Sequence, residues 1–284
     1  MPHPLQFDTP TALQYFSALV AEDNSFPLLE AALALAQDEW PQLDVQGELA
    51  RIDELGLRLH RRIPADAVPL QRLRLLNQYF FQELGFAGNV NDYYDRRNSF
   101  LPDVMRSRRG IPITLALLYI ELAAQADLQA VGISFPGHFL IKVHLPKGEV
   151  VIDPFNGRSL SREALEERLQ PFRQRHQLAA EDETPLGLFL QPAPGRDVIA
   201  RMLRNLSEIH RSALDWQRLA QVQQRLVLLL PQAWDEQREL AFVLSQAGRH
   251  AAAAAALEIY LEHRPDAVDA AALRRHLGTW RGLH

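Results

Sequence analysis

From residue 9 to 85, apolar positions recur at spacings of three and four, and each run is bracketed by start and stop residues. That pattern predicts four helices with short connections. Thr9 with Pro10 introduces one over Ala12 to Ala21, Ser25 with Pro27 a second through Leu28, Leu29, Ala32, Leu33 and Leu35, and Asp44 caps a third. The fourth begins after Pro69, sets Leu73, Leu76, Phe80 and Leu84 on one face and stops at Gly85, with proline at the start and glycine at the end. Periodicity lapses over 86–111, where polar and aromatic residues read as an ordered loop. Gly110 and Pro112 then introduce a helix from about Ile113 to Ala126 that is apolar almost all round, as a central buried helix is. Its polar stripe is Thr114, Glu121 and Gln125.

Alternation follows, with strands expected over Ala130 to Phe135, Phe139 to Leu145 and Glu149 to Ile152, the last two joined by a turn at Pro146, Lys147 and Gly148. Ser161 begins a charged amphipathic helix to about Leu169, and 170–196 reads as a proline-containing connector with an acidic patch. The remainder is helical and repeats weakly at 34 residues: Pro231 with Pro265, Leu206 with Leu240, Ile209 with Val243, Ala213 with Ala247, Ala220 with Ala254 and Val227 with Leu261. Thirty-four is the tetratricopeptide period. The second copy fits it better than the first, which has Ser207 and His210 at apolar positions. The expected fold class is α+β: a mainly helical N-terminal region joined to a small antiparallel sheet, then an all-α tail. The expected domains are 1–195, with a helical layer over 10–85 and a core over 86–170, and 196–284. Two repeats are fewer than a free-standing array needs, so the tail should pack on the first domain.

With 284 residues, 47% hydrophobic and 23% charged, the chain is neither disordered nor fibrous. Its net charge is -5 and no segment is strongly basic, so a nucleic-acid partner is not expected. The apolar runs are far shorter than the roughly 18 residues of a membrane span, and no cationic, apolar leader follows Met1. A cytoplasmic protein without membrane contact is therefore expected. The histidines show no metal-ligand spacing, so neither metal nor cofactor is expected. Cysteine is absent, which forbids disulfides, thiolate metal sites and thiol catalysis.

Three landmarks carry the candidate chemistry: the helix start Gly110-Ile111-Pro112, the strand-opening Pro136-Gly137-His138-Phe139 and the strand-closing Ile152-Asp153-Pro154-Phe155. If the hairpin between them turns around Leu145 and Pro146, His138 and Asp153 become cross-strand neighbours on one face. An Asp there can fix the imidazole tautomer and leave the other ring nitrogen for a nucleophile. Arg96, Arg97, Arg106, Arg108 and Arg109 surround the helix start. They suit an anion site at a helix N-terminus, and ion pairs with Asp92, Asp95 and Asp103 account for them equally well. Tyr93 and Tyr94 can line a cleft or plug the core.

The order of helix start, strand His and strand Asp-Pro resembles the transglutaminase-like (papain-like) superfamily. Asn91 to Ser99 (NDYYDRRNS), Arg108 to Leu115 (RRGIPITL), Phe135 to Leu140 (FPGHFL) and Ile152 to Gly157 (IDPFNG) are similar to the bacterial SirB-type family, which joins a transglutaminase-like core to tetratricopeptide repeats. The resemblance implies His138 and Asp153 as the superfamily His and Asp. It places Pro112 where the superfamily has its nucleophilic Cys, at the third position of Gly-x-Cys. Thr114 is a poor substitute: at about 100° per residue it lies about 200° round the helix from Pro112, and its hydroxyl suits a backbone bond in the first turn. The expected function is a non-catalytic protein- or peptide-binding module, with His138 and Asp153 as a vestigial pair and Asn91, Tyr93, Tyr94, Arg96, Arg97, Arg108, Arg109 and Asn156 as binding residues. The rival is a hydrolase or acyltransferase using the pair with Thr114 or a bound water.

Overall fold

Polar side chains write two of the first three helix starts described. A computed structural model describes residues 10–22, 26–175 and 185–282. In it Asp44 caps α3 (Val45–His60), its side chain accepting from the Gly47 amide at 2.9 Å. Thr11, not Thr9, caps α1 (Ala12–Leu19), forming a capping box with Gln14. Pro27 precedes α2 (Leu28–Ala34), which tightens into a 3₁₀ turn over Leu35–Asp38. Thr9, Ser25 and the acidic patch near 181–183 lie outside the described residues.

The chain packs as two units: Asp44–Val198, and Met1–Leu43 together with Ile199–His284. This differs from a division at 195, because the first two helices belong with the tail. The tail comprises α9 (Gly195–Ser212), α10 (Trp216–Leu229), α11 (Trp234–Gln246), α12 (His250–His263) and α13 (Ala270–Arg281). Arg225 of α10, wholly buried, donates from Nε and Nη2 to the two carboxylate oxygens of Asp38, both at 2.7 Å, and lies 4.8 Å over the Phe16 ring. Arg218 reaches Glu39 at 2.6 Å.

The 34-residue repeat is a repeat of hydrogen bonds. The amide of Asp215 donates to His210 O and that of Arg249 to Leu244 O, both at 2.9 Å; Leu230 donates to Leu226 O and Arg264 to Tyr260 O. Leu214 and Gly248 occupy the same left-handed turn position, with φ 54° and 74°. Glycine adopts that conformation without strain and leucine does not, one reason the first copy is hard to see. Ser207, whose counterpart is Ala241, is buried with its hydroxyl unpartnered. Ser207→Ala is therefore expected to stabilise the chain by about 1 kcal/mol in chemical denaturation.

In the other unit, α4 (Pro69–Asn77) does not run on as an α-helix to Gly85. It widens into a π turn over Gln78–Glu83. The extra residue lets consecutive aromatics share one ring: Phe80 and Phe81 both pack on Tyr119, at 5.3 and 5.7 Å. The stretch 86–111 holds more than a loop. It contains β1 (Ala87–Gly88), a 3₁₀ turn (Arg96–Ser99), α5 (Leu101–Ser107) and β2 (Arg109–Gly110), and β1 pairs in parallel with β2. Leu101, Val104 and Met105 bury the face of α5.

The central α6 (Pro112–Gln125) is buried over ten residues from Pro112 to Ala123, and α3 packs on it. A Cβ on Gly56 would lie 2.5 Å from Gln125, so the two helices need glycine there. The sheet is antiparallel in the order β3 (Gln129–Ile133), β4 (Leu140–Leu145), β5 (Gly148–Asp153), β6 (Arg158–Leu160), one strand more than the alternation predicts. Beyond it α7 (Arg162–Arg175) continues through Pro171, six residues past its expected end at Leu169, and α8 is Leu186–Phe189. Leu165 and Leu169 of α7 pack with Phe135, Leu140 and Val151. Lys142, on that same buried face, donates to Leu190 O at 2.9 Å.

Candidate functional site

The start of α6 is built from the polar loop before it. Asn98 is buried and organises that loop: its amide donates to Asp92 O and Tyr93 O at 2.7 and 3.1 Å and its oxygen accepts from Asn89 at 3.0 Å. Thr114 is fully buried. Its hydroxyl accepts from the Ile111 amide at 3.2 Å, and the carbonyls of Asn98 and Ile111 lie 2.9 and 3.0 Å away to take its proton. The side chain thus caps the helix, and Pro112 at the first helical position contributes no donor.

Ile141 pairs with Ile152 and Leu145 with Gly148, which sets Asp153 level with Leu140. His138 is therefore not its direct cross-strand neighbour, as a turn centred on Leu145 and Pro146 would make it. It approaches diagonally from two residues before Leu140, a step that keeps it on the same face. His138 Nε2 donates to Asp153 Oδ1 at 2.8 Å. The same oxygen accepts from the Phe155 amide at 3.0 Å, and Oδ2 accepts from Arg168 Nη2 at 2.9 Å and Asn156 Nδ2 at 3.4 Å.

Asp153 is only 2% exposed. Burial would push its pKa up, but the His138 hydrogen bond and charge, the Arg168 bond and the Phe155 amide together hold it at about 2. Being ionised, the carboxylate can only accept, so His138 carries its hydrogen on Nε2 and in its neutral form presents Nδ1 as an acceptor. Among the described residues Nδ1 has no partner. Such a pair can take a proton from a nucleophile placed at Nδ1, and the chain has no cysteine to supply one.

The arginines near the helix start are engaged locally. Arg97 pairs with Asp95 through Nε and Nη2, Arg106 with Asp103, and Arg109 donates to Gly85 O and Arg108 O at 2.7 and 2.9 Å. Arg108 takes a left-handed conformation, φ 59°, and lies 4.6 Å over Phe86. Arg96 is exposed, as is Asn91. Tyr93 and Tyr94 are 44% and 78% exposed with rings 5.3 Å apart, and Tyr93 lies 6.0 Å from Phe155. The tyrosines thus form an exposed edge, and plug no core. Asn156 is the one of these binding residues in hydrogen-bond contact with Asp153.

Phe155 is fixed from below by Gly88, whose amide donates to Phe155 O at 2.8 Å and whose Cβ would lie 2.1 Å from the ring. Gly88→Ala should therefore cost about 2 kcal/mol in thermal or denaturant unfolding, because Phe155 and the turn behind Asp153 must move.

A cleft of about 330 Å³ opens beside His138, lined by Phe135, His138, Arg168, Pro171, Phe172 and Arg175 among others. None of the arginines at the helix start lines it. The sequence does not mark Arg168, Phe172 and Arg175 as site residues, because 161–169 reads as a solvated charged helix and 170–196 as a connector. Their spacing of four and three, which sets them on one face, was the available signal. Among the described residues no three His, Asp or Glu side chains group as metal ligands, and no helix is long and apolar enough to cross a membrane.

A sequence model of the transglutaminase-like superfamily matches residues 47–204, and one of the tetratricopeptide repeat matches 206–278. A UPF0162 protein of Xylella fastidiosa strain 9a5c is 34% identical over 92% of this chain and 92% of its own length. A UPF0162 protein of Pseudomonas aeruginosa, PA3419, is 31% identical over 66% of each chain. The UPF0162 protein YchA of Escherichia coli K12 is 28% identical over 51% of this chain and 54% of its own. No solved structure matches. With the superfamily match spanning the helix start, His138 and Asp153, and the full-length likeness to the Xylella protein, the chain belongs to the transglutaminase-like superfamily and, within it, to the bacterial UPF0162 proteins.

Proposed function

We propose that this protein is a non-catalytic member of its superfamily that binds a protein or peptide through the cleft beside His138 and through its helical repeats. The observation that carries the reading is a kept pair without its partner. His138 and Asp153 are bonded at 2.8 Å, while proline stands at the helix start and no cysteine occurs anywhere in the chain. Thr114 supports the same reading, because its hydroxyl is buried and already bonded to backbone groups; a nucleophile needs to be exposed to a base. The tetratricopeptide match supports a partner role, since stacked helical repeats offer extended surfaces for other proteins. A cytoplasmic location and a protein or peptide partner accord with this function, with neither metal nor cofactor needed for it.

The hydrolase or acyltransferase reading rests on the unpartnered Nδ1 of His138, which is placed to activate a water. Turnover separates the two. The full chain and its His138→Ala variant are incubated with ester and amide substrates, and no product that depends on His138 is expected. Turnover by the wild type that disappears in His138→Ala would sink the non-catalytic reading.

A further inference from the structure

The cleft has a composition that selects one kind of ligand. Among the described residues its charged groups are cationic: Arg168 and Arg175 line it, and Asp153, the acid bonded to Arg168, is buried and spent on His138 and Arg168. Only Nη2 of Arg168 is used; among the described residues its Nε and Nη1, and the whole guanidinium of Arg175, have no partner. Asp153 holds the Arg168 guanidinium on one oxygen and the His138 ring on the other, so a fork of donors and a ring acceptor, Nδ1, are fixed relative to each other. Around them Pro136, Pro171 and Phe172 give apolar walls. Guanidinium donors take a carboxylate, Nδ1 takes an N–H, and aromatic and proline walls take an apolar side chain. At about 330 Å³ the space is at the small end for ligand sites. Half-buried His138 and Arg168 and exposed Arg175 leave one side open for a chain to leave.

We propose that this cleft captures the free C-terminus of a peptide ending in an apolar residue. The α-carboxylate sits on Arg168 and Arg175, the amide N–H of the last residue donates to His138 Nδ1, and the last side chain packs on Pro136 and Phe172. This rests on the binding reading above and names the ligand of that same site. A small free acid shares the carboxylate and the apolar body and lacks the amide.

The test is calorimetric titration of the full chain with N-acetyl-Ala-Ala-Phe as the free acid, the same peptide as its C-terminal amide, and 3-phenylpropionate. Arg175 is exposed at the end of α7 and unpartnered, so Arg175→Gln leaves the fold intact. The free acid should bind about tenfold more tightly than the amide, the effect of one charge-assisted hydrogen bond. Arg175→Gln should remove that preference, and Arg175→Lys restore part of it. Equal binding of acid and amide overturns carboxylate recognition and leaves peptide binding standing. Binding of 3-phenylpropionate as tight as the peptide acid overturns the peptide and identifies a small acid. If neither peptide binds while the full chain still captures protein partners, this proposal alone falls; if both fail, the binding reading falls with it.

Discussion

Replacing Asp153 by alanine should lower the stability of the folded chain by about 3 kcal/mol. The carboxylate accepts four hydrogen bonds, from His138, Arg168, Asn156 and the Phe155 amide, at a position 2% exposed. Removing it orphans a half-buried amide and leaves three polar or cationic side chains without their anchor, though Arg168, at 35% side-chain exposure, can regain some water. The same group gives a pH signature. Its pKa is held at about 2, below the ordinary 3.8, so its contribution is complete above about pH 4 and is lost as pH falls through 2. Denaturant unfolding from pH 6 to 2 should show the wild type losing about 2 kcal/mol more than Asp153→Asn over that window. Parallel curves for the two proteins would show that Asp153 is not held ionised.

A second large effect is expected in the other unit. Arg225→Ala should cost about 4 kcal/mol, because it removes a wholly buried guanidinium and leaves the Asp38 carboxylate, 18% exposed, without its two-bond partner. Arg225→Met with Asp38→Leu should recover most of that loss, since a well-packed apolar pair replaces a buried ion pair at little cost. The consequence for dissection is direct: a chain cut at 195 separates Arg225 from Asp38 and Phe16. The fragment 196–284 should therefore melt well below the intact protein by circular dichroism. A fragment melting with the intact chain would contradict the grouping of α1 and α2 with the tail.

What could be read in the sequence was what local spacing specifies. The alternation around Ile141 and Ile152 set the hairpin, and a shared side-chain parity placed His138 and Asp153 on one face even though the turn lies one residue later than expected. Gly110 and Pro112 marked the start of α6, and the offset of 34 marked the tail, because caps and repeats are properties of a few adjacent residues. What could not be read depends on distant partners. Arg225 and Asp38 are 187 residues apart in sequence. The π turn exists because Phe80 and Phe81 must both reach Tyr119, and Arg168 joins Asp153 only once α7 docks on the sheet. The arginines near the helix start looked convergent in sequence, and local pairs such as Arg97 with Asp95 and Arg106 with Asp103 disperse them. α5 and β6 do not show in the sequence pattern, because seven and three residues are too few for a period.

We propose that the fold keeps the helix start and the His-Asp pair of a thiol catalyst without the thiol. Pro112→Cys puts this to the test, with the ultraviolet absorbance of the thiolate titrated on the full chain, because Pro112 is buried and alkylation would report access. A thiolate favoured by the helix N-terminus and His138 should form about one pH unit or more below free cysteine, and His138→Ala should raise that midpoint. A thiol that titrates at or above the range of free cysteine and is unmoved by His138→Ala, in a chain whose circular dichroism is native, would overturn it.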